Sequence, residues 1–139
     1  MKSTAALMLL AAATPAWALP LSPITPHQAL SNRGQCVMVA GVATVRADPQ
    51  RLGFDVDLDG KESSAFGYVL PGDDKNFPAL QSYTGKRIAI TGVVNMYMGR
   101  AEIKMTNPAQ VTLDVPAQSD GLTHIGPEFG RTGNPSLCG

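Results

Sequence analysis

Apolar residues recur at every second position in several short segments of this chain, and each segment is closed by glycine, proline or an Asp-Gly pair. Period-two alternation buries one face of a strand, and turn residues limit how far that strand can run. Segment 35–46 places Val37, Val39, Ala43 and Val45 on one face, and Ala47-Asp48-Pro49-Gln50 then turns the chain. Segment 51–58 directs Leu52, Phe54, Val56 and Leu58 one way and Asp55 and Asp57 the other, with Asp59 at the strand end. Asp59-Gly60 predicts a hairpin. Segment 63–70 aligns Phe66, Tyr68 and Leu70 before Pro71-Gly72 ends it. Segment 86–97 aligns Ile88, Ile90, Gly92, Val94 and Met96. After Met98-Gly99, segment 100–105 points Ala101, Ile103 and Met105 inward and Arg100, Glu102 and Lys104 outward. Val111, Leu113 and Val115 continue the alternation beyond Asn107-Pro108.

Helix is scarce in this pattern. Segment 76–83 is the one convincing helical stretch, with Asn76 as N-cap, Pro78 in the first turn and Gly85 as the stop. At most one helical turn is expected near Pro26 to Leu30. The 14 glycines and 11 prolines of the 139 residues agree with a turn-rich chain. Hydrophobic residues make up 44% and charged residues 16%, and 11 basic residues balance 11 acidic ones. Such a composition suits one compact domain and excludes a disordered chain. It also excludes a protein held to nucleic acid by bulk charge alone.

Residues 1–18 read as a secretory signal peptide. Lys2 precedes the apolar run AALMLLAAA, and Ala16-Trp17-Ala18 supplies the small residues of a cleavage site. The run is too short to span a bilayer, which takes about 20 residues. The mature chain is expected to start at Leu19, in the periplasm or outside the cell, with no membrane insertion after cleavage. Residues 19–33 form an extended lead-in, 34–115 the domain, and 116–139 a Gly/Pro-rich tail. Cys36 and Cys138 are the two cysteines. With no CxxC and no Cys/His cluster, an exported chain is expected to pair them as a disulfide.

Three strands, a short helix and two more strands define an all-β arrangement, for which the leading solution is the five-stranded Greek-key barrel of the OB-fold. In that barrel the helix lies between strands three and four. A mid-strand glycine recurs in register in Gly34-x-x-Val37-x-Val39-x-Gly41 and Gly85-x-x-Ile88-x-Ile90-x-Gly92, as expected at barrel corners. The last two strands carry a more specific pattern. Gly85-Lys86-x-Ile88-x-Ile90-x-Gly92-x-Val94-x-x-Tyr97-x-Gly99-Arg100-x-x-Ile103, followed by Pro108-x-Gln110-Val111, resembles OB-fold modules of the anticodon-binding and single-strand-binding type. Small exported bacterial proteins are among them. The chain is also similar to the exported bacterial OB-fold stress proteins. The resemblance covers roughly residues 24–115.

This resemblance implies a ligand surface on strands two and three, bordered by the loops joining strands one to two and four to five. The residues it singles out are Arg46, Arg51, Tyr68, Tyr97 and Arg100. Tyr97 is expected to stack on a base and the arginines to meet phosphates of a single-stranded nucleic acid. The alternative is an envelope protein, a small ligand or a cation. Asp55 and Asp57 are expected to lie exposed on the same surface and to repel phosphates.

Asp55-x-Asp57-x-Asp59-Gly60 also copies the start of a calcium loop. It diverges at Glu62 and Phe66, where the loop needs an apolar residue and a bidentate Glu. An alternating strand with an Asp-Gly turn accounts for the motif. There is no G-x-S-x-G, no HExxH, no Walker A and no Cys/His nucleophile pair. No enzymatic activity and no cofactor are expected.

Overall fold

The computed structural model describes residues 20–117 and 132–138. The expected signal peptide and tail residues 118–131 lie outside the described residues. Within these limits the chain is all-β. Seven strands form one mixed sheet in the order β1-β2-β3-β4-β6-β5-β7, and β2 pairs in addition with β5. They are β1 (Pro23–Ile24), β2 (Cys36–Ala47), β3 (Phe54–Leu58), β4 (Ala65–Val69), β5 (Arg87–Tyr97), β6 (Arg100–Lys104) and β7 (Val111–Leu113). Neighbours from β2 to β3 to β4 run antiparallel, β4 and β6 run parallel, and β6–β5 and β5–β2 are antiparallel again. The pairings therefore close a ring through β2, β3, β4, β6 and β5.

Two long strands make this closure possible by changing partners midway. Residues 36–42 of β2 pair with β5, and residues 43–47 pair with β3. Residues 87–93 of β5 pair with β2, and residues 94–97 pair with β6. Gly41 and Gly92 sit at these two changes. A Cβ on Gly41 would press on Leu58 and Asp59, and one on Gly92 would run into Ile103. Both glycines serve a close approach of strands at a corner.

The interior matches the alternation in four of the five expected strands; in β4 it is Ala65 and Val69, not the aligned Phe66, Tyr68 and Leu70, that face inward. Val37, Val39, Ala43, Val56, Leu58, Ile88, Ile90, Val94, Ala101, Ile103 and Met105 belong to one buried cluster. Leu52 departs from the expectation. It stands in a turn at φ +67 and is 73% exposed, so β3 starts only at Phe54.

The predicted helix over 76–83 is replaced by two 3₁₀ turns, Asp73–Asn76 and Leu80–Tyr83. Pro78 disfavours helical backbone at the residue before it. Phe77 accordingly sits at φ −124, ψ 73. Phe77, Leu80 and Tyr83 are all buried, and their spacing of three matches a 3₁₀ period better than an α-helical one. The one α-helix of the described residues, α1 (Pro26–Ala29), is a single turn with Pro26 at its start. Thr25 and Gln28 cap it reciprocally, Thr25 accepting from the Gln28 N–H and Gln28 from the Thr25 N–H. No described helix is long and apolar enough to cross a membrane.

Cys36 and Cys138 form a disulfide with Cα atoms 5.8 Å apart. Leu21 and Gly133 exchange two backbone hydrogen bonds of 2.9 and 2.8 Å. These ties lay the described end of the tail, residues 132–138, against the outer face of β2 and β5, where Gly133 abuts Met38 and Thr91. Leu21 packs there with Met38, Ala40, Ala89 and Val115.

Candidate functional site

The outer face of β3, β4 and β6 is built from rows of cross-strand neighbours. Arg46 lies opposite Asp55, Asp55 opposite Tyr68, and Tyr68 opposite Lys104. One step along, Asp57 faces Phe66, and Phe66 faces Glu102. Side chains so placed are on the outside of the ring, yet most are not in water. Tyr68, Phe66, Asp55, Asp57 and Glu102 are buried, with Asp57 at 0% exposure. The expectation that Asp55 and Asp57 form an exposed, repelling face is therefore corrected. Three arginines fold over them.

Arg46 donates from Nε to Asp57 Oδ2 at 2.6 Å and reaches Asp55 Oδ2 with Nη2 at 3.0 Å. Arg100 donates from Nη2 to Asp57 Oδ1 at 3.0 Å and from Nε to the Ser63 carbonyl at 2.7 Å. One buried carboxylate thus clamps two guanidinium groups. Arg100 also lies over the Phe66 ring, 4.5 Å from its centre.

Arg51 enters from the loop 48–53. Asp48 shapes that loop by accepting from the backbone N–H groups of Gln50 and Arg51, each at 2.9 Å. The Arg51 guanidinium then lies between two rings, 3.8 Å from the centre of Tyr68 and 3.5 Å from that of Tyr97. It donates from Nη1 to Glu102 Oε2 at 2.6 Å and from Nε to Asp48 Oδ2 at 3.3 Å. Tyr68 donates its hydroxyl to the Arg51 carbonyl at 3.1 Å, which pins the loop from below. Arg51 Nη2 and Asp55 Oδ1 face each other at 3.9 Å, and both are buried without a hydrogen-bond partner.

This crowding governs the carboxyl groups. Burial, then a side-chain hydrogen bond with Asp48 and the Asp48 charge, push the Asp55 carboxyl up to about 6. For Asp48 burial works upward too, but the backbone N–H groups of Arg51 and Gln50 outweigh it and hold the carboxyl below its ordinary value. Arg46 stays charged because its hydrogen bond to Asp57 outweighs its burial. Burial opposes the charge on Arg51, and the bond to Glu102, the Glu102 charge and the bond to Asp48 together outweigh it.

The loop 48–53 and the β5–β6 turn border a cleft of about 190 Å³. Arg46, Asp48, Asp55, Phe66, Tyr97 and Arg100 line it, with Met98 at its mouth. Met98 is 74% exposed and, like Leu52 on the opposing loop, has a positive φ, +50.

Of the residues singled out in the sequence, Arg46, Tyr97 and Arg100 line this cleft and Arg51 adjoins it. Tyr68 is buried beneath Arg51 and presents no free face. All three arginines are paired with carboxylates, and Tyr97 stacks on Arg51. Asp48, Phe66 and Glu102 were missed. Glu102 shares an outward face with Arg100 in the sequence, but its partner Arg51 stands 51 positions away and is met only across the sheet. The carboxylates of the Asp55-x-Asp57-x-Asp59 motif have partners within the protein. Asp57 is spent on Arg46 and Arg100, and Asp59 accepts from the Val42 N–H at 2.8 Å. Among the described residues no group of three or more His, Cys, Asp or Glu side chains is placed to hold a metal ion.

No family model matches the chain, and no curated protein matches it. Among solved structures it is similar to an aspartyl tRNA synthetase from Entamoeba histolytica, at 13% identity and a TM-score of 0.43. The match covers 81% of this chain and spans about a quarter of the synthetase, 26%.

Proposed function

We propose that this protein is an exported, non-catalytic binding module built on a five-stranded Greek-key OB-fold barrel, β2 to β6, and that it holds a polypeptide segment in the cleft beside Tyr97. The ring order, with its parallel β4–β6 pairing, supports the barrel. The disulfide suits an oxidising compartment. The observation that carries the ligand class is the pairing of every arginine in the site. Arg46, Arg51 and Arg100 face Asp48, Asp55, Asp57 and Glu102, so no positive charge is left over for a phosphate chain. Paired charges, an aromatic wall and the exposed Met98 suit a peptide, which brings donors, acceptors and apolar groups together.

A second reading, single-stranded nucleic acid, is favoured by the aromatic rings of Phe66 and Tyr97 beside Arg46 and Arg100 in one cleft. Panning a displayed random-peptide library against the protein separates the two, with counter-selection on a Tyr97→Ala/Met98→Ser variant. Enriched peptides that the variant no longer retains are the expected result. Binding of a labelled oligothymidylate at low salt that Tyr97→Ala abolishes overturns the peptide reading and installs the other.

A further inference from the structure

The slot between Tyr68 and Tyr97 holds a planar cation, the guanidinium of the protein's own Arg51. Two rings lie within 3.8 Å of the guanidinium carbon, Glu102 and Asp48 accept from its N–H groups, and Asp55 stands beside it. Each of these three carboxylates is at most 5% exposed. Such a constellation selects a flat, charged, multiply donating group over an ammonium, whose donors do not spread in one plane.

Arg51 fits the slot imperfectly. Its Nη2 has no acceptor within hydrogen-bond reach, and the buried Asp55 Oδ1 stands 3.9 Å away. The tether explains the mismatch. Arg51 is carried on a six-residue loop pinned by Asp48 and Tyr68, and the next residue, Leu52, is held at φ +67, which disfavours a branched side chain. A guanidinium free of that tether can slide toward Asp55 while keeping Glu102 and both rings.

We infer that the loop 48–53 is a latch, and that the group this module recognises is an arginine side chain of a partner polypeptide, which displaces Arg51 from between Tyr68 and Tyr97. This rests on the peptide reading above and names the residue that reading requires. Closed, the latch covers Tyr68 and shields the carboxylates. Open, it bares an acidic aromatic slot with the three carboxylates that lie outside the loop, Asp55, Asp57 and Glu102, against the two remaining arginines, Arg46 and Arg100.

The test uses fluorescence anisotropy with a labelled glycine-flanked arginine peptide and its citrulline counterpart, which has the same shape without the charge. The Arg51→Ala protein is expected to bind the arginine peptide about tenfold more tightly than wild type does, with no gain for the citrulline peptide. Equal binding of the arginine peptide by both proteins, or an equal gain for citrulline, overturns the latch. Should Arg51→Ala fail to fold, Arg51→Gln carries the same comparison. On the wild-type protein, arginine amide is expected to shift the Arg51 Nε–H resonance saturably, and an unmoved resonance also overturns the proposal. Peptides enriched on the Tyr97/Met98 cleft while the slot stays indifferent to arginine would sink the latch alone. Oligothymidylate binding through Tyr97 would sink the peptide reading itself.

Discussion

Asp57 shows how much a single carboxylate can organise. Fully buried, it accepts from both Arg46 and Arg100. Replacing it by alanine leaves two cations in part-buried positions with no common partner. Removing one member of a buried pair costs about 3–5 kcal/mol. Because Arg46 and Arg100 keep some access to water, with 30% and 19% of their side chains exposed, we expect the lower end, about 3 kcal/mol, for Asp57→Ala. Urea denaturation measures it, and a loss under about 1 kcal/mol would contradict the clamp. Asp55 makes a different prediction, one of pH. Burial and its neighbour Asp48 raise its carboxyl to about 6, above the roughly 3.9 of an unfolded chain. A proton held more tightly when folded stabilises the fold below about pH 4, and that contribution is lost as pH rises through about 6. Unfolding free energy should therefore fall from about pH 4 to about pH 6, by on the order of 1–3 kcal/mol. Asp55→Asn should flatten that slope. Asp48, whose carboxyl is lowered, titrates beneath this window and does not mask it.

At the level of elements, the two long strands carry the architecture because each serves two partners. Gly92 sits where β5 leaves β2 for β6, and Ile103 occupies the space its missing side chain leaves. Gly92→Val overfills that corner and should cost about 1–3 kcal/mol or more. Pairing it with Ile103→Ala should recover part of the loss, and thermal melting of the single and double variants reads the coupling. Additive losses would mean that the corner tolerates the bulk by moving elsewhere. The 3₁₀ turns teach a related point about reading periodicity. Phe77, Leu80 and Tyr83 recur every three residues, and that spacing together with Pro78 pointed to 3₁₀ geometry in the sequence itself. The expected α-helix gave too little weight to the constraint proline places on the residue before it.

At the scale of the molecule, the disulfide ties positions 102 apart, linking the start of β2 to the end of the tail. Closing so long a loop in the unfolded chain is worth about 2–4 kcal/mol. Cys36→Ser with Cys138→Ser should lower stability by that amount while leaving the proposed peptide binding unchanged, since the described tail end lies against Met38 of β2 and Thr91 of β5, six positions before Tyr97. Loss of binding in a variant that still folds would show that the tail reaches the site. Five strand positions, the inward faces of all but one of them and the cysteine pair were legible in the sequence, because burial of alternating residues and the redox chemistry of paired thiols are local or compositional signals. In β4 the aligned Phe66 and Tyr68 point out of the ring, and Ala65 and Val69 face the interior. The same alternation misjudged Asp55, Asp57 and Glu102, placing them correctly on the outer face but wrongly in water. Whether an outward carboxylate is solvated depends on what folds over it, and Glu102 meets Arg51 and Asp57 meets Arg100 only across the sheet, 51 and 43 positions away. Period and turn signals determined which side chains leave the ring. Only the tertiary arrangement, which sets charges from distant segments within about 3 Å of one another, decided that those side chains form a closed, self-paired slot.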